Sequence, residues 1–406
     1  MDKTLLVLGA GPDQIPGIVK AKEMGIYTIV LDGNPDAAGK EFADEFHIVS
    51  IKHMQQIEDF IKTRLKRRVD GVIAFGVDIP SIIAQTADML NVNFTIPLAS
   101  AQLSEDKFSS KEFMKKHKIA IPKYHLVNNV EDIRTFIENN DLPVVIKPVD
   151  NSASRGISYT NDIENIESFY NYALEFSNQK KVQVEKYLPG PQISTESFVI
   201  NGEIHNIGFA DRNYTQMQRF LPNIIEDGGD LPSLHMQEKH KNQLKHYLEI
   251  IAKELNIHNG VIKGDIVLYN DDLYIIEFAL RLSGGNFSTV EIPYSTGVDF
   301  LKIAIKLHLN LEVFEDELKQ TKNAFISLRY KFLEEESGGL ITEIELPRGD
   351  QNIILSNFHA RVGERVGEKT TDHAKRLGFV IAKGNDRDDA ISNAQKFLDK
   401  VKISFE

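Results

Sequence analysis

Over its first hundred residues the chain alternates short β-favouring apolar runs with helical stretches, and few folds accommodate that order. Residues 4–8, TLLVL, lead straight into Gly9-Ala10-Gly11-Pro12-Asp13-Gln14, and a helical stretch through Ile18, Val19 and Met24 comes next. A second run, 27–31, ends on Asp32. The alternation continues with an apolar run at 71–75, then Gly76-Val77-Asp78, then a helical pattern over 79–90. Strands separated by helices pair in parallel through right-handed crossovers, so this stretch predicts a doubly wound, Rossmann-like layer. Ligands of such a layer gather at the carboxyl ends of its strands, here 9–14, Asp32 and 76–78. Strand, glycine loop, helix, strand and acid also outline a dinucleotide site, which brings a nicotinamide cofactor into consideration. The fingerprint is incomplete because Gln14 stands at the third glycine position. More often such a partial match marks a layer whose first loop touches some small ligand.

A chain of 406 residues has room for two to three domains. Its net charge of −12, from 47 basic and 59 acidic residues, argues against a nucleic-acid partner, whose phosphates need a basic face. The absence of cysteine removes disulfides, thiolate zinc sites, iron–sulfur clusters and a cysteine nucleophile together. No apolar run approaches the ~20 residues of a membrane span. Lys3 precedes an apolar run at 5–8, but Gly9, Pro12 and Asp13 break it without a signal-peptide cleavage pattern. The expectation is a cytoplasmic protein with no membrane partner.

The middle of the chain carries the chemistry. Residues 144–147, VVIK, read as a buried strand closed by Pro148, followed by a small-residue loop with Ser152, Ala153, Ser154, Arg155 and Gly156. A lysine fixed on a buried strand needs an anion, and such a loop exposes backbone N–H groups that can line a phosphate. The plainer alternative is a lysine that snorkels to water beside an ordinary turn. Upstream, the lysine-rich segment from Asp106 reads mostly as a solvated helix face. Residues 162–176 read as an amphipathic helix capped by Asn161 or Asp162. Asn201-Gly202 between β-favouring runs at 195–200 and 205–210 predicts a hairpin. Residues 212–234 read as irregular and too long for a mere connection.

Two further strands are expected at 261–269 and 273–278, which bring Asp265 and Glu277 into adjacent antiparallel positions. Paired carboxylates repel unless a cation lies between them, and with nucleotide phosphates they make the oxygen set that Mg²⁺ accepts. The alternative is a structural network with Arg281 or Lys263. The remainder, with strands near 324–330 and 378–382 and a helix over 388–401, reads as a small α/β cap.

Taken in order, these pieces resemble an ATP-grasp enzyme of the carboxylate–amine ligase type, near the carbamoyl-phosphate-synthase, biotin-carboxylase and L-amino-acid-ligase branches. The resemblance rests on Asp106-Lys107, Lys147 with its loop, VEKYLPGP at 184–191, Asp265 and IEFALRLSGG at 276–285. The stretch RLGFVIAKGNDRDDAISNA, 376–394, resembles the C-terminal cap of the biotin carboxylase and amino-acid ligase branches. The implied fold is α/β and α+β: a Rossmann-like pre-ATP-grasp domain at 1–105, an ATP-grasp domain at 106–310 with subdomains of about 106–186 and 187–310, and a cap at 311–406.

The resemblance also implies roles. Lys107 and Lys147 would contact ATP phosphates, and Ser152, Ser154, Arg155 and Gly156 would close over them with Arg155 as the charged finger on the γ-phosphate. Glu185 would take the adenine amino group, the backbone of Lys186, Tyr187 and Leu188 would complete adenine recognition, and Gln192 would reach the ribose. Asp265 and Glu277 would hold Mg²⁺ or Mn²⁺. Arg281 would stabilise an acyl phosphate and the tetrahedral intermediate, and would act as a catalytic residue with Lys147 and Arg155. Gly11, Asp78, Glu226, Gly284 and Gly285 would join Arg281 around the substrates.

Two positions depart from the family pattern: Ala279 stands where the family places a metal-binding asparagine, and Gly229 where some amino-acid ligases place a histidine. The implied reaction is ATP-dependent joining of a small-molecule carboxylate to an amine through an acyl phosphate. Carboxylation through carboxyphosphate and an ATP-binding protein that has lost catalysis are the alternatives. Many relatives are homodimers, which makes that assembly open to this chain as well.

Overall fold

The structure, a computed structural model, describes residues 3–93, 95–333, 338–367 and 369–406. The opening alternation becomes a parallel sheet of β1 (Thr4–Leu8), β2 (Tyr27–Asp32), β3 (Glu45–Ile48) and β4 (Gly71–Ile73), in the order β3-β2-β1-β4. All five residues of β1 are buried, as a parallel strand covered on both faces requires. On one face Leu6, Leu8, Ile29 and Leu31 meet Ile57 and Phe60. On the other, Leu5 and Val7 join a core that continues through Ile18 and Phe75 to Phe198, Val261 and Phe300. One apolar core therefore ties the first layer to a sheet built from residues two hundred positions later. The run expected to reach residue 75 stops pairing at Ile73, and β3 carries no strong alternation in sequence.

A second sheet is formed by β5 (Tyr124–Val127), β6 (Val144–Pro148), β7 (Ser158–Thr160) and β8 (Val182–Lys186), antiparallel and ordered β5-β8-β6-β7. Ile133, Phe136 and Ile137 of one helix and Ile166 and Ala173 of another cover Val144, Ile146, Val182 and Val184. The second helix spans Ile166–Phe176 with Asn165 as its N-cap, four residues later than its apolar spacing suggested. Asp162 explains the delay: its backbone N–H donates to Thr160 Oγ1 at 3.1 Å and its carboxylate accepts from Glu164 N at 3.0 Å. These local side-chain bonds give the backbone an alternative to helix.

The remaining strands are β9 (Gln192–Ile200), β10 (Glu203–Asn213), β11 (Gly228–Leu231), β12 (Gly260–Tyr269), β13 (Asp272–Ala279), β14 (Phe325–Lys331), β15 (Gly339–Glu345), β16 (Ile353–Phe358), β17 (Arg365–Val366), β18 (Gly378–Gly384) and β19 (Lys402–Phe405). Eight of them form one sheet in the order β13-β12-β9-β10-β11-β14-β18-β16, while β17-β15-β19 form a small separate one. The β9–β10 hairpin turns at Asn201-Gly202, both with positive φ, as the sequence predicts.

The stretch 212–234, read from sequence as irregular, contains a helical turn at Met217–Phe220 and all of β11. β11 reads GGDL, with no β-favouring pattern, and is held by long-range pairing to β10 on one side and β14 on the other. Through β11 the C-terminal strands extend the large sheet. The helix Arg387–Asp399 is fastened to it by Arg387, which donates to Asp211 at 2.8 Å and to the Pro232 carbonyl at 2.9 Å. Among the described residues no helix is long and apolar enough to cross a membrane.

Candidate active site

A cavity of about 1120 Å³ is lined by the β5–β8 sheet, by the large sheet, by 76–78 from the first layer and by His359, His373 and Arg376 from the C-terminal part. Each wall delivers charge.

On the first wall, β6 carries Lys147 and pairs antiparallel with β8, placing Val145 opposite Glu185 and Lys147 opposite Gln183. Lys147 is 4% exposed and its Nζ lies 2.8 Å from Glu185 Oε1. The lysine therefore meets a carboxylate rather than snorkelling to water. Gln183 Nε2 donates to the same oxygen at 2.8 Å, and Lys111 Nζ lies 3.4 Å from it. Burial pushes the Glu185 carboxyl up, but the ammonium groups of Lys111 and Lys147 outweigh it and hold it below the usual carboxylate range. Burial lowers Lys111 to about 8 despite its ion pair.

The loop after β6 carries three residues in the left-handed region of the backbone. Ala153 and Ser154 have φ of 57° and 59° and Gly156 has 73°. A Cβ at Gly156 would sit 2.7 Å from Phe176 Cβ, so this glycine seats the loop against the helix Ile166–Phe176. The loop is also held from the far end of the chain: His373 N donates to the Ala153 carbonyl at 3.1 Å, and Ser154 Oγ lies 3.2 Å from His373 Nε2. Burial, then Arg376 and Arg212, drive His373 well below its ordinary value, so the ring is neutral.

On the opposite wall Asp265 and Glu277 face each other in register across β12 and β13. Ser194 Oγ donates to Asp265 Oδ1 at 3.0 Å, Arg212 lies 3.3 Å from Oδ2, and Lys263 pairs with the same oxygen. Lys107, at the start of the helix Lys107–Lys116, donates to Glu277 Oε2 at 2.8 Å, and Lys263 is 3.9 Å from Oε1. Burial would raise Glu277, but Lys107, Lys263 and Lys147 hold it well below the carboxylate range. Lys263 thus pairs with these carboxylates and Arg281 does not. Arg281 turns to Asp78, with Nε 2.7 Å from Oδ1. Ala279 lines the cavity without offering a ligand, and among the described residues no group of three or more histidines or carboxylates is arranged to hold a metal ion.

Glu226 also lines the cavity; it accepts from Arg212 at 3.1 Å and lies 3.7 Å from Arg376. The Arg376 guanidinium stands 3.5 Å over the Tyr330 ring. Glu291, 2% exposed, is raised well above its ordinary value by burial and by Glu226 and Asp230. Lys186, Tyr187, Leu188, Gln192, Ser152, Arg155, Gly284 and Gly285 all line the same cavity. Two expected residues do not: Gly11 lies outside the lining, where Asp13 takes its place, and Gly156 acts from behind the loop.

Among the residues not singled out from sequence are Arg212, Glu291, Tyr330, His373 and Arg376, which line the cavity, and Lys111, which lies behind the lining. Glu291 interrupts an apolar run, the same signal that marked Asp265 and Glu277. Lys111 lies one helical turn from Lys107. His373 and Arg376 come from the C-terminal part, and nothing in their local sequence points here. The nicotinamide alternative loses its acid, because Asp32 accepts from Ala10 N and Asn34 N, both at 2.8 Å. Gly39 also packs on the glycine loop, its N–H donating to the Ala10 carbonyl at 2.7 Å.

The family profile of the phosphoribosylglycinamide synthetase ATP-grasp (A) domain matches residues 105–285, and that of the L-amino acid ligase C-terminal domain 2 matches 331–406. Among curated proteins, the carbamoyl phosphate synthase large chain of Caldanaerobacter subterraneus subsp. tengcongensis is 25% identical over 342 residues, covering 77% of this chain and 29% of the relative. The chain spans less than a third of the length of the curated relatives it matches. The L-amino acid ligase of Bacillus licheniformis superposes with a TM-score of 0.81 at 17% identity, covering 100% of this chain and 99% of that one. Phosphoribosylglycinamide synthetase from Anaerococcus prevotii does so with a TM-score of 0.77 at 21% identity, covering 100% of both. At these identities the superpositions show the fold. Residues 105–285, which carry the lysine and carboxylate walls, are thus an ATP-grasp domain, and residues 331–406, which supply His373 and Arg376, match an L-amino acid ligase C-terminal domain.

Proposed function

We propose that the chain is an ATP-dependent ligase that activates a small carboxylate as an acyl phosphate and joins it to an amine. The observation that carries this reading is that Lys107, Lys147, Asp265, Glu277 and Arg281 all line one cavity. Lys147 and Lys107 supply positive charge where a phosphoryl group leaves, and residues 152–155 of the loop line the same cavity. A carboxylate oxygen attacks the γ-phosphorus and the bond to the β-phosphate oxygen breaks, releasing ADP. The amine then attacks the acyl carbon, phosphate leaves, and the nitrogen loses a proton. Arg281, aimed by Asp78, holds charge on the oxygens that develop it.

Asp265 and Glu277 have the donor chemistry for Mg²⁺, a hard cation that takes one or two carboxylates and completes its shell with nucleotide phosphates and water. Bound there, the ion would neutralise phosphate charge. The two carboxylates are already matched by Lys263, Arg212 and Lys107, so the chain itself compensates them, and the ion and nucleotide would enter together.

The test is ADP release across panels of amino acids, sugar acids and amines, with hydroxylamine added to trap an acyl phosphate. The reading expects ADP only with an acid and an amine together, a hydroxamate in the trap, and loss of turnover in Lys147→Ala and Glu277→Ala. Full turnover in either variant would sink the site assignment. ADP release that depends on bicarbonate would instead support carboxylation. ATP binding without ADP under every combination would support a protein that has lost catalysis.

A further inference from the structure

Lys111 has no role in the chemistry above and does not line the cavity, yet it is 1% exposed. It lies one helical turn from Lys107, so a single helix face sends Lys107 to Glu277 and Lys111 to Glu185. The Lys111 Nζ makes no hydrogen bond, and its ion pair with Glu185 is 3.4 Å long. Glu185 already has a closer cation, since Lys147 sits 2.8 Å from the same oxygen. Two buried ammonium groups on one buried carboxylate leave a surplus positive charge, and burying a surplus charge is costly. The arrangement makes sense if one of the two ammoniums has a second destination. Lys147 lines the cavity and Lys111 does not.

We infer that Lys111 is a positioning residue, a fixed counter-charge that keeps Glu185 compensated while Lys147 leaves it for the phosphates of the nucleotide. This rests on the reading of the cavity as an ATP site. Without Lys111, Lys147 would be the sole cation on Glu185. Engaging phosphate would then strand a buried carboxylate, and staying on Glu185 would forfeit the phosphate. Either way the hold on the phosphates weakens, while contacts to the nucleoside are untouched.

The test measures binding of Mg-ATP and of adenosine to the full chain by calorimetry, in the wild type, Lys111→Met and Lys111→Gln, with folding checked by thermal melting. Lys111→Met should weaken ATP by about tenfold or more, the scale of one charge-assisted contact, and leave adenosine within about twofold. In turnover, KM for ATP should rise while kcat at saturating ATP stays within about threefold. Adding Glu185→Gln to Lys111→Met removes the carboxylate that retains Lys147 and should recover most of the ATP affinity. Lys111→Gln keeps a polar partner for Glu185 and gives the same reading if the methionine variant does not fold. Equal losses for ATP and adenosine, or unchanged ATP affinity in a folded neutral variant, would overturn the inference. Failure of the wild type to bind ATP would overturn the reading of the site itself, which is a different result.

Discussion

Arg281 Nε donates to Asp78 Oδ1 at 2.7 Å, so a guanidinium just past the end of β13 is aimed by a carboxylate from the loop after β4. Burial lowers Arg281, and Asp78 more than restores it, so its charge is secure. The contact joins the parallel layer to the large sheet within the cavity lining. A first layer packed for stability alone would not need to send an acid there. Asp78→Asn keeps the shape and removes the charge. We expect kcat to fall about tenfold or more with little change in KM for ATP, because orientation of a group that meets developing charge is lost rather than nucleotide binding. Steady-state kinetics decide it, and an unchanged kcat would reduce Asp78 to a structural partner.

The in-register pair Asp265 and Glu277 gives a second expectation. Asp265→Asn retains the hydrogen bond from Ser194 but removes the charge of one of the two carboxylates proposed to hold Mg²⁺. The Mg²⁺ concentration for half-maximal turnover should rise about tenfold, in line with the loss of one charge-assisted interaction. Titration of Mg²⁺ at fixed ATP measures it, and an unshifted midpoint would mean that Lys263 and Arg212 are the true partners of this carboxylate.

A third expectation concerns stability. His308, on the helix Phe300–His308, donates from Nδ1 to the Val72 carbonyl at 2.6 Å and so fastens that helix to β4. Burial lowers it from 6.5 to about 4, which means that the folded protein keeps the neutral ring while the unfolded chain protonates it. The stabilisation is complete above pH 6.5 and is lost as pH falls towards 4, by roughly 3 kcal/mol. Gln at this position can still donate to Val72 but cannot titrate. Denaturant melts at pH 7 and pH 4 should therefore show His308→Gln losing less stability on acidification than the wild type. Parallel losses would place the acid sensitivity elsewhere.

The parts of the site that were legible in sequence share one property: each is a polar residue set into a regular pattern. Lys147 closes an apolar strand, and Asp265 and Glu277 interrupt two of them, while the register shift between Asp265 and Ile266 that sets the two carboxylates opposite each other has no signal in the sequence. Arg376 and His373 could not be found that way. They reach the cavity because β18 pairs with β14 and β14 with β11, and β11 is a GGDL stretch with no strand signal of its own. The direction of Arg281 was open for a similar reason. Its sequence neighbours are Glu277 and Ala279, but the carboxylate that takes it lies 203 residues upstream, and only the packing of two layers decides between them.

The same long-range docking suggests how the loop 152–156 is held. His373 meets the loop twice, through its backbone N–H on the Ala153 carbonyl and its ring beside Ser154. Only the second contact depends on the side chain, so His373→Ala should loosen the loop without releasing it. One hydrogen bond of about 1 kcal/mol corresponds to an open population about five times larger. Arg155 sits at the tip and gives trypsin a cleavage site within the loop, so the variant should be cut after Arg155 about five times faster than the wild type in the absence of nucleotide. Mg-ATP should slow cleavage in both, since phosphates in the cavity give the loop a second anchor. Equal rates without nucleotide would show that the backbone contact and the packing of Gly156 on Phe176 are enough to hold the loop, and that His373 serves the cavity in some other way.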